Sequence, residues 1–268
     1  MSKNRVLEAA SSATYPLFIP FIMAGDPNEE ATIELALSLE DAGAHILELG
    51  IPYSDPLADG PVLQESAKRA LLGGMNLKKA IDLVPVMRQR GLTIPVIIFT
   101  YYNPVLQMEE ETFLHATKEA GADGILIPDL PYEESRNISA AAKERGLANI
   151  SLVAPTSATR VETIAKEAEG FLYCVSSVGV TGTRDTFSPE VYSFVNQVKQ
   201  HSHVPVAVGF GISRREHVES LKDVSDGVIV GSAIMKQVQA HVDDLANSST
   251  RQNALDQIKG FVSSLISS

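Results

Sequence analysis

The sequence predicts an α/β fold, a (β/α)8 barrel of the TIM type, as a single domain with an extra N-terminal helix and additional helices. Three observations favour this fold class. Eight short, nearly continuous apolar runs recur along the chain, as expected for parallel strands that helices cover from outside. Helical sequence follows every run. The length of 268 residues is close to the roughly 250 residues usual for such barrels.

The pattern places each element in order along the chain. The predicted strands cover residues 17–24, 45–50, 94–102, 124–129, 150–155, 171–177, 205–211 and 226–233. The predicted helices cover residues 2–11, 28–43, 62–72, 77–90, 109–120, 132–145, 158–168, 189–200, 213–222, 233–246 and 251–266. Four helices end in an Ala-Gly or Arg-Gly step, because glycine supplies the left-handed conformation that stops a helix. A doubly wound open sheet is the structural alternative.

Composition excludes several classes of protein. Apolar residues make up 44% of the chain and charged residues 21%, which argues for a large core and against disorder. The formal charge is −11 with no basic cluster, so a nucleic-acid partner is not expected. No linker or low-complexity segment interrupts residues 1–268, which predicts one domain.

The cysteine and histidine patterns bear on compartment and metals. A single cysteine, Cys174, excludes a disulfide framework and fits a reducing compartment, and its mid-strand position indicates a buried structural thiol. The N-terminus lacks the apolar core of a signal peptide, and no run approaches 18 apolar residues. We therefore expect a cytoplasmic protein, or a plastid protein whose transit peptide is missing. The six scattered histidines form no zinc pattern, so we predict no metal.

Residues 45–64 carry the most informative pattern in the chain. Glu48 lies at the end of an apolar strand, where a carboxylate is costly without a partner or a task. Asp59 follows eleven residues later, in a loop that contains three prolines. Two acids in different environments at one barrel mouth suit acid-base chemistry on a small molecule. Taken alone, these acids could equally be a helix cap, an ion-pair partner or turn formers.

Three glycine-rich strand ends predict a phosphate site. GFGIS (209–213) and GSA (231–233) lead from the seventh and eighth strands into helices, and GVTGT (179–183) follows the sixth. Glycine lets backbone N–H groups approach an anion, and helix N-termini add a favourable dipole. Loops after strands seven and eight are the usual barrel phosphate site. Ordinary turn glycines are the alternative.

The two predicted sites together define a class of substrate. A phosphate would be anchored at one end and the carboxyl groups would meet the other. The apolar lining between them is expected to come from Phe21, Phe99, Ile127 and Tyr173, although core packing would use the same residue types. The sequence therefore indicates a phosphate ester with an apolar, aromatic body.

Five stretches in order resemble one known family. They are FIPFIMAGDP, LELGIPYSDPLADGPVLQ, VSSVGVTGTR, VGFGIS and GVIVGSAI. Together they are similar to the α chain of tryptophan synthase, over essentially the whole chain. The second stretch is highly specific, whereas the glycine loops occur in many phosphate-binding barrels.

This resemblance implies a function and site residues. The family cleaves indole-3-glycerol phosphate to indole and glyceraldehyde 3-phosphate in L-tryptophan biosynthesis. The reaction is of the aldolase type, and the enzyme is classed among the carbon-oxygen lyases. The matching catalytic residues are Glu48, Asp59 and Tyr173. The matching phosphate-binding residues are Gly182, Phe210, Gly211, Gly231 and Ser232. The indole pocket and its loop are expected to include Phe21, Phe99, Tyr101, Ile127 and Thr181.

The chemistry accounts for these roles. Glu48 can protonate indole C3 and then deprotonate the adjacent hydroxyl if an apolar site raises its pKa. Asp59, ionised in a wetter loop, can stabilise positive charge at the indole nitrogen. No cofactor is expected in this chain. The resemblance implies a β chain that carries pyridoxal phosphate as the partner, in an α2β2 heterotetramer.

Alternatives remain open at this point. The chain could be another barrel enzyme that acts on a phosphate sugar, such as an isomerase or the synthase that makes indole-3-glycerol phosphate. That synthase has a similar fold but needs catalytic lysines, and no lysine lies at a predicted strand end here. The chain could also be a free-standing lyase without a β chain, or a silent activator of a β chain. Segments 53–60 and 178–188 are expected to move as active-site lids, with Leu57 the only apolar anchor of the first.

Overall fold

The computed structural model of the chain describes residues 4–155, 158–175, 187–209 and 211–267. Within them, parallel strands form one sheet. The strands are β1 (Leu17–Met23), β2 (Leu47–Gly50), β3 (Val96–Phe99), β4 (Gly124–Leu126), β5 (Ala148–Asn149), β6 (Ser151–Val153), β7 (Leu172–Cys174), β8 (Val206–Val208) and β9 (Gly227–Val230).

The sheet closes into a barrel through Ile150. The strand order is β5-β4-β3-β2-β1-β9-β8-β7-β6, so β5 and β6 lie at the two ends of the hydrogen-bonded order. These two strands are consecutive in the chain and separated only by Ile150, whose N–H donates to the Ile125 carbonyl at 2.9 Å. They are two halves of one interrupted strand, and the barrel therefore has the eight strands that the sequence predicts.

Helices surround the barrel. They are α1 (Arg5–Ser12), α2 (Glu29–Asp41), α3 (Pro61–Leu72), α4 (Leu77–Gln89), α5 (Tyr102–Met108), α6 (Glu110–Glu119), α7 (Arg136–Glu144), α8 (Ala158–Glu167), α9 (Pro189–His201), α10 (Arg215–Ser220), α11 (Ser232–Ala240), α12 (Val242–Ala246) and α13 (Arg251–Ile266). The side chains of Asn4, Asn28 and Asn76 cap the first turns of α1, α2 and α4. Among the helices so described, none has the length and apolar run that crossing a membrane requires.

The predicted order of elements is confirmed, but several predicted strands extend too far, and the helix predicted over 233–246 is divided into α11 and α12. Two of the predicted strands differ in more than length. The strand predicted over 94–102 ends at Phe99, and the sequence analysis missed α5. The Asp129 carboxylate accepts the first N–H of α5, from Tyr102, at 2.9 Å. Pro104 lies in the first turn of α5, where proline is tolerated. The aromatic run TYY (100–102) is typical of a strand, and for this reason the start of the helix was not predicted. The strand predicted over 150–155 is replaced by the two halves β5 and β6.

Two apolar cores follow from the alternation of side chains along each strand. One core fills the barrel interior with residues such as Ile19, Ile97 and Ile229, and Val6 and Ala10 of α1 pack onto it at the amino-terminal end of the barrel. The larger core lies between the sheet and the outer helices. The predicted N-terminal helix is thus present and covers one end of the interior, so the opposite end is left for a site.

A charged cluster ties α1 to the amino-terminal end of the barrel. The Asp123 carboxylate, 9% exposed, accepts hydrogen bonds from Arg5 at 2.8 Å and from Arg88 at 2.7 Å. It also accepts the backbone N–H of Val96 at 3.0 Å. Both carboxylate oxygens are therefore partnered, as a buried charge requires.

Candidate active site

Glu48 is a buried acid at the carboxyl-terminal part of the barrel interior. On β2 it lies in register with Phe21 of β1 and Ile97 of β3. Ile46, two residues earlier, belongs to the interior core, so the period of two turns Glu48 inward as well. Its side chain is 0% exposed, and neither carboxyl oxygen has a hydrogen-bond partner among the described residues. Burial raises the pKa of Glu48 from 4.5 to about 8, so the residue is protonated at neutral pH.

Asp59 lies at the end of the loop after β2, just before α3. The loop backbone is held on both sides: the Ala58 N–H donates to the Tyr101 hydroxyl at 3.0 Å, and Gln64 Nε2 donates to the Asp59 carbonyl at 2.8 Å. Burial raises the pKa of Asp59 from 3.8 to about 6, while a hydrogen bond with Tyr101 acts in the opposite direction. Asp59 is therefore the stronger acid of the two and is ionised at neutral pH.

Two details of the predicted loop are wrong. The sequence analysis expected a wetter loop around Asp59, but this residue is only 7% exposed. Leu57, the only apolar residue that was expected to be able to anchor the loop, is 80% exposed and does not do so. Tyr101 takes the anchoring role, because its hydroxyl can accept one hydrogen bond and donate another.

Tyr173 stands on β7 on the opposite side of the barrel. Its ring packs against Gly209, where an added Cβ would lie 2.3 Å from the Tyr173 Cε1 and hydroxyl oxygen. Burial, together with the nearby Glu48 and Asp59 carboxyl groups, raises the pKa of Tyr173 well above its usual 10. The hydroxyl therefore stays protonated and is available as a hydrogen-bond donor beside both acids.

Aromatic rings form part of the wall near Glu48. The rings of Phe21 and Phe99 meet edge to face, with centroids 5.4 Å apart. A Cβ at Gly50 would lie 2.2 Å from Phe21 Cζ, so only glycine leaves space for that ring. Ile127, 5% exposed, follows β4 and belongs to the core between the sheet and the outer helices, whereas its neighbour Leu126 belongs to the interior core. The cavity of about 130 Å³ that Ile127 borders is lined by residues such as Tyr132 and Ile164, and Glu48 is not among the described residues that line it.

The predicted phosphate corner is described only in part. Gly211 has a φ of +60°, a conformation that favours glycine. Gly231 precedes Ser232, the first residue of α11, and no side chain among the described residues caps this helix. The first N–H groups of α11 therefore point toward the barrel mouth without a capping side chain. Such N–H groups are available to bind an anion. The predicted residues Thr181, Gly182 and Phe210 lie outside the described residues.

Sequence reasoning missed several residues that build the site. Gln64, which holds the Asp59 carbonyl, and Gly50, which leaves room for Phe21, were not predicted. Tyr101 was predicted for the indole pocket and Gly209 for a phosphate loop, but their contacts with the Asp59 loop and with Tyr173 were not. The glycines carried a signal, because Gly50 ends the buried strand β2 and Gly209 directly follows the buried strand β8. Within the described parts of the chain, no group of three or more histidine, cysteine or acidic side chains could hold a metal ion.

Comparisons with known proteins bear on the identity of this site. The sequence matches the family model described as tryptophan synthase alpha chain over residues 7–262. The tryptophan synthase alpha chain of Halalkalibacterium halodurans is 60% identical over 98% of this chain and 99% of its own length. That of Geobacillus kaustophilus is 57% identical over 95% of both chains.

Solved structures agree with these sequence relationships. The crystal structure of tryptophan synthase subunit alpha from Legionella pneumophila superposes with a TM-score of 0.87 at 34% identity and covers 98% of this chain and 97% of that chain. A chain of the tryptophan synthase complex from Pyrococcus furiosus gives a TM-score of 0.82 at 36% identity, over 92% and 96% of the two chains. By sequence and by fold, over nearly its whole length, this chain belongs to the tryptophan synthase alpha chain family.

Proposed function

We propose that this chain is the lyase that cleaves indole-3-glycerol phosphate to indole and glyceraldehyde 3-phosphate in tryptophan biosynthesis, with Glu48 transferring the protons. The observation that carries this assignment is the Glu48 carboxyl, fully buried and without a hydrogen-bond partner among the described residues. Such a group costs stability. Its presence at the site end of a barrel supports a task in the chemistry.

The first step is protonation of the indole ring. The bond to be broken joins indole C3 to the glycerol chain, and a proton on C3 turns the ring into a leaving group. With a pKa of about 8, Glu48 holds a proton at neutral pH and can donate it to C3. The positive charge that results lies on the indole nitrogen.

The second step breaks the carbon-carbon bond. The Glu48 carboxylate, now deprotonated, removes the proton from the hydroxyl next to C3. The O–H electron pair becomes the aldehyde C=O bond, and the C–C electron pair returns to the ring as neutral indole. Glu48 regains the proton that it lost in the first step, so no net proton transfer to solvent is needed.

Asp59 stabilises the charge that forms between these steps. Its pKa of about 6 leaves it ionised at neutral pH, so it can accept the indole N–H and offset the positive charge. The Asp59 carbonyl accepts a hydrogen bond from Gln64 and the carboxyl group is hydrogen-bonded with Tyr101, and both contacts limit the reorganisation needed at the moment of reaction. The hydroxyl of Tyr173 is proposed to donate to the Glu48 carboxylate.

The rest of the site would hold the substrate. We assign the phosphate to Gly211, Gly231 and Ser232, with Gly182 and Phe210 as further ligands. Phe21 and Phe99 would pack against the indole ring. Tyr101, Ile127 and Thr181 are proposed to complete the indole pocket and its loop.

The chemistry also bears on cofactor and partner. Indole itself accepts the electron pair, so the reaction needs no cofactor in this chain. The Pyrococcus furiosus neighbour was solved as a tryptophan synthase complex. We propose that this chain likewise assembles with a β chain, as an α2β2 heterotetramer in the cytoplasm, and that pyridoxal phosphate belongs to the β chain.

The test is turnover of indole-3-glycerol phosphate by the purified chain, with and without a β chain. Equimolar indole and glyceraldehyde 3-phosphate, released faster when β is present, is the expected result. Fast release without β would favour a free-standing lyase. No release under either condition, combined with stimulation of β, would overturn the catalytic assignment in favour of a silent activator.

A further inference from the structure

We propose that Asp26 is a positioning residue for Asp59, acting through helix α3 and Gln64. This inference rests on the catalytic role proposed for Asp59. Asp26 follows β1, outside the predicted catalytic and binding residues, and has no role in the reaction described above. Its side chain is 1% exposed, which makes it one of the most deeply buried charged groups among the described residues.

The Asp26 carboxylate is fully engaged with α3. Oδ1 accepts from Arg69 Nε at 2.8 Å, and Oδ2 accepts from Arg69 Nη2 at 2.8 Å and from Ser66 Oγ at 2.5 Å. The fork-to-fork pairing with Arg69 fixes orientation as well as distance. Since both carboxylate oxygens accept hydrogen bonds from α3, Asp26 is not free to bind substrate. Its contacts instead fix the position of α3.

The other side of this contact is fixed to the barrel. The Ala24 N–H donates to the Gly50 carbonyl at 2.8 Å, which joins the end of β1 to the end of β2 just beyond Glu48. The Gly25 N–H donates to Thr32 Oγ1 at 2.9 Å. Gly25 has a φ of +82°, and a Cβ there would lie 2.8 Å from Met75 Cβ. The turn that presents Asp26 is therefore tightly defined.

Helix α3 connects the Asp26 contact to the loop that contains Asp59. The helix begins at Pro61, two residues after Asp59, and Gln64 donates to the Asp59 carbonyl at 2.8 Å. Ser66 and Arg69 follow Gln64 by two and five residues on the same helix. A shift of α3 relative to β1 would therefore shift the Asp59 backbone relative to Glu48. A misplacement of about 1 Å in a reacting geometry can lower a rate by about 10²-fold.

Net stability does not explain this arrangement well. Replacing a buried ion pair by apolar residues is often neutral or stabilising, so the pair is better understood as a device that specifies geometry. The Asp123 cluster offers a matched control, because its carboxylate is also buried and held by arginine but lies at the opposite end of the barrel.

The experiment measures kcat and KM of the chain in complex with a β chain, for Asp26→Asn, Gln64→Met and the double variant. Because each variant interrupts the same connection, we expect each single change to lower kcat about tenfold and to leave KM within about twofold. The double variant should be no slower than the slower single variant, because the two effects are not independent. Asp123→Asn should leave kcat within about twofold and should combine additively with Gln64→Met.

Arg69→Lys sharpens the test, since it keeps the charge but loses the planar fork, and kcat should fall to an intermediate value. Thermal unfolding of every variant checks that the assays are run on folded protein. Unchanged kcat in Asp26→Asn, or additive losses in its double variant with Gln64→Met, would overturn the inference. Full activity of both Glu48→Gln and Asp59→Asn would instead overturn the catalytic roles proposed for these acids, and no cleavage by the parent complex would overturn the proposed function, so these failures are distinguishable from that of the inference.

Discussion

Asp123 and Glu48 are buried carboxyl groups at opposite ends of this barrel, and their surroundings differ. At the amino-terminal end, Asp123 has Arg5, Arg88 and a backbone N–H as partners. Toward the carboxyl-terminal end, Glu48 has no partner among the described residues and its pKa is raised to about 8. A buried acid that is fully paired, such as Asp123, holds structural elements in place, whereas one without a partner at a barrel mouth is poised for proton transfer. This difference assigns stability to one end and chemistry to the other.

The largest expected effect is on the unpaired acid. Glu48→Gln keeps the side-chain shape and removes the transferable proton, so kcat for indole-3-glycerol phosphate cleavage should fall by about 10²–10⁴-fold. Binding of glyceraldehyde 3-phosphate, measured by calorimetry, should be nearly unchanged and confirms that the pocket is intact. Near-normal turnover in this variant would remove Glu48 from the mechanism and abolish the contrast between the two ends.

Substitution of the paired acid, Asp123, should lower stability and leave activity unchanged. Asp123→Asn leaves two guanidinium groups without their counter-charge, and we expect the free energy of unfolding to fall by about 2 kcal/mol, less than for a fully buried pair because Arg5 and Arg88 are partly exposed. Urea unfolding followed by circular dichroism measures this loss. The specific activity of the folded variant should match the parent chain, and a large drop in kcat would contradict the division of roles.

A smaller effect is expected at the phosphate corner. Ser232→Asp and Gly211→Asp each place a carboxylate where the substrate phosphate is proposed to bind, so affinity for glyceraldehyde 3-phosphate should fall about tenfold or more. Isothermal titration calorimetry gives the dissociation constants. Ser232→Ala is the matched control, since it removes the hydroxyl without adding charge and should have a smaller effect. Equal affinities in all variants would place the phosphate elsewhere.

The smallest expected effect concerns pH and stability. The folded pKa of Glu48 is raised, so the folded chain binds more protons than the unfolded chain between pH 4.5 and about 8. This contribution to stability is complete below pH 4.5 and is lost as the pH rises through about 8. Glu48→Gln lacks the dependence, so its stability relative to the parent chain should rise by more than about 1 kcal/mol between pH 5 and pH 9.

Denaturant titrations at both pH values measure this difference directly. Asp59 has a raised pKa in a lower pH range, but it is common to both proteins and cancels in the comparison. An equal pH dependence in the two proteins would mean that Glu48 has a partner and an ordinary pKa. The two ends of the barrel would then hold their acids in the same way.

Much of this molecule follows from local sequence. Eight apolar runs with helices between them determine a parallel barrel, because such strands must be covered on the outside and filled inside. The position of Glu48 at the end of one run, and of glycines at the ends of two others, located the site at the carboxyl-terminal face. Helix ends were predicted well where asparagine or glycine provides a local stop or start signal.

The tertiary structure determined the burial, the pKa values and the hydrogen bonds of those residues. The raised pKa of Glu48 depends on its burial, and the residues that bury it come from strands far apart in the chain. The burial of Asp59 and its contact with Tyr101 depend on the fold of two separate loops, as does the pairing of Asp26 with α3. Local patterns specify which residues form an element, whereas desolvation and hydrogen bonding depend on which elements meet, and only the folded chain determines that.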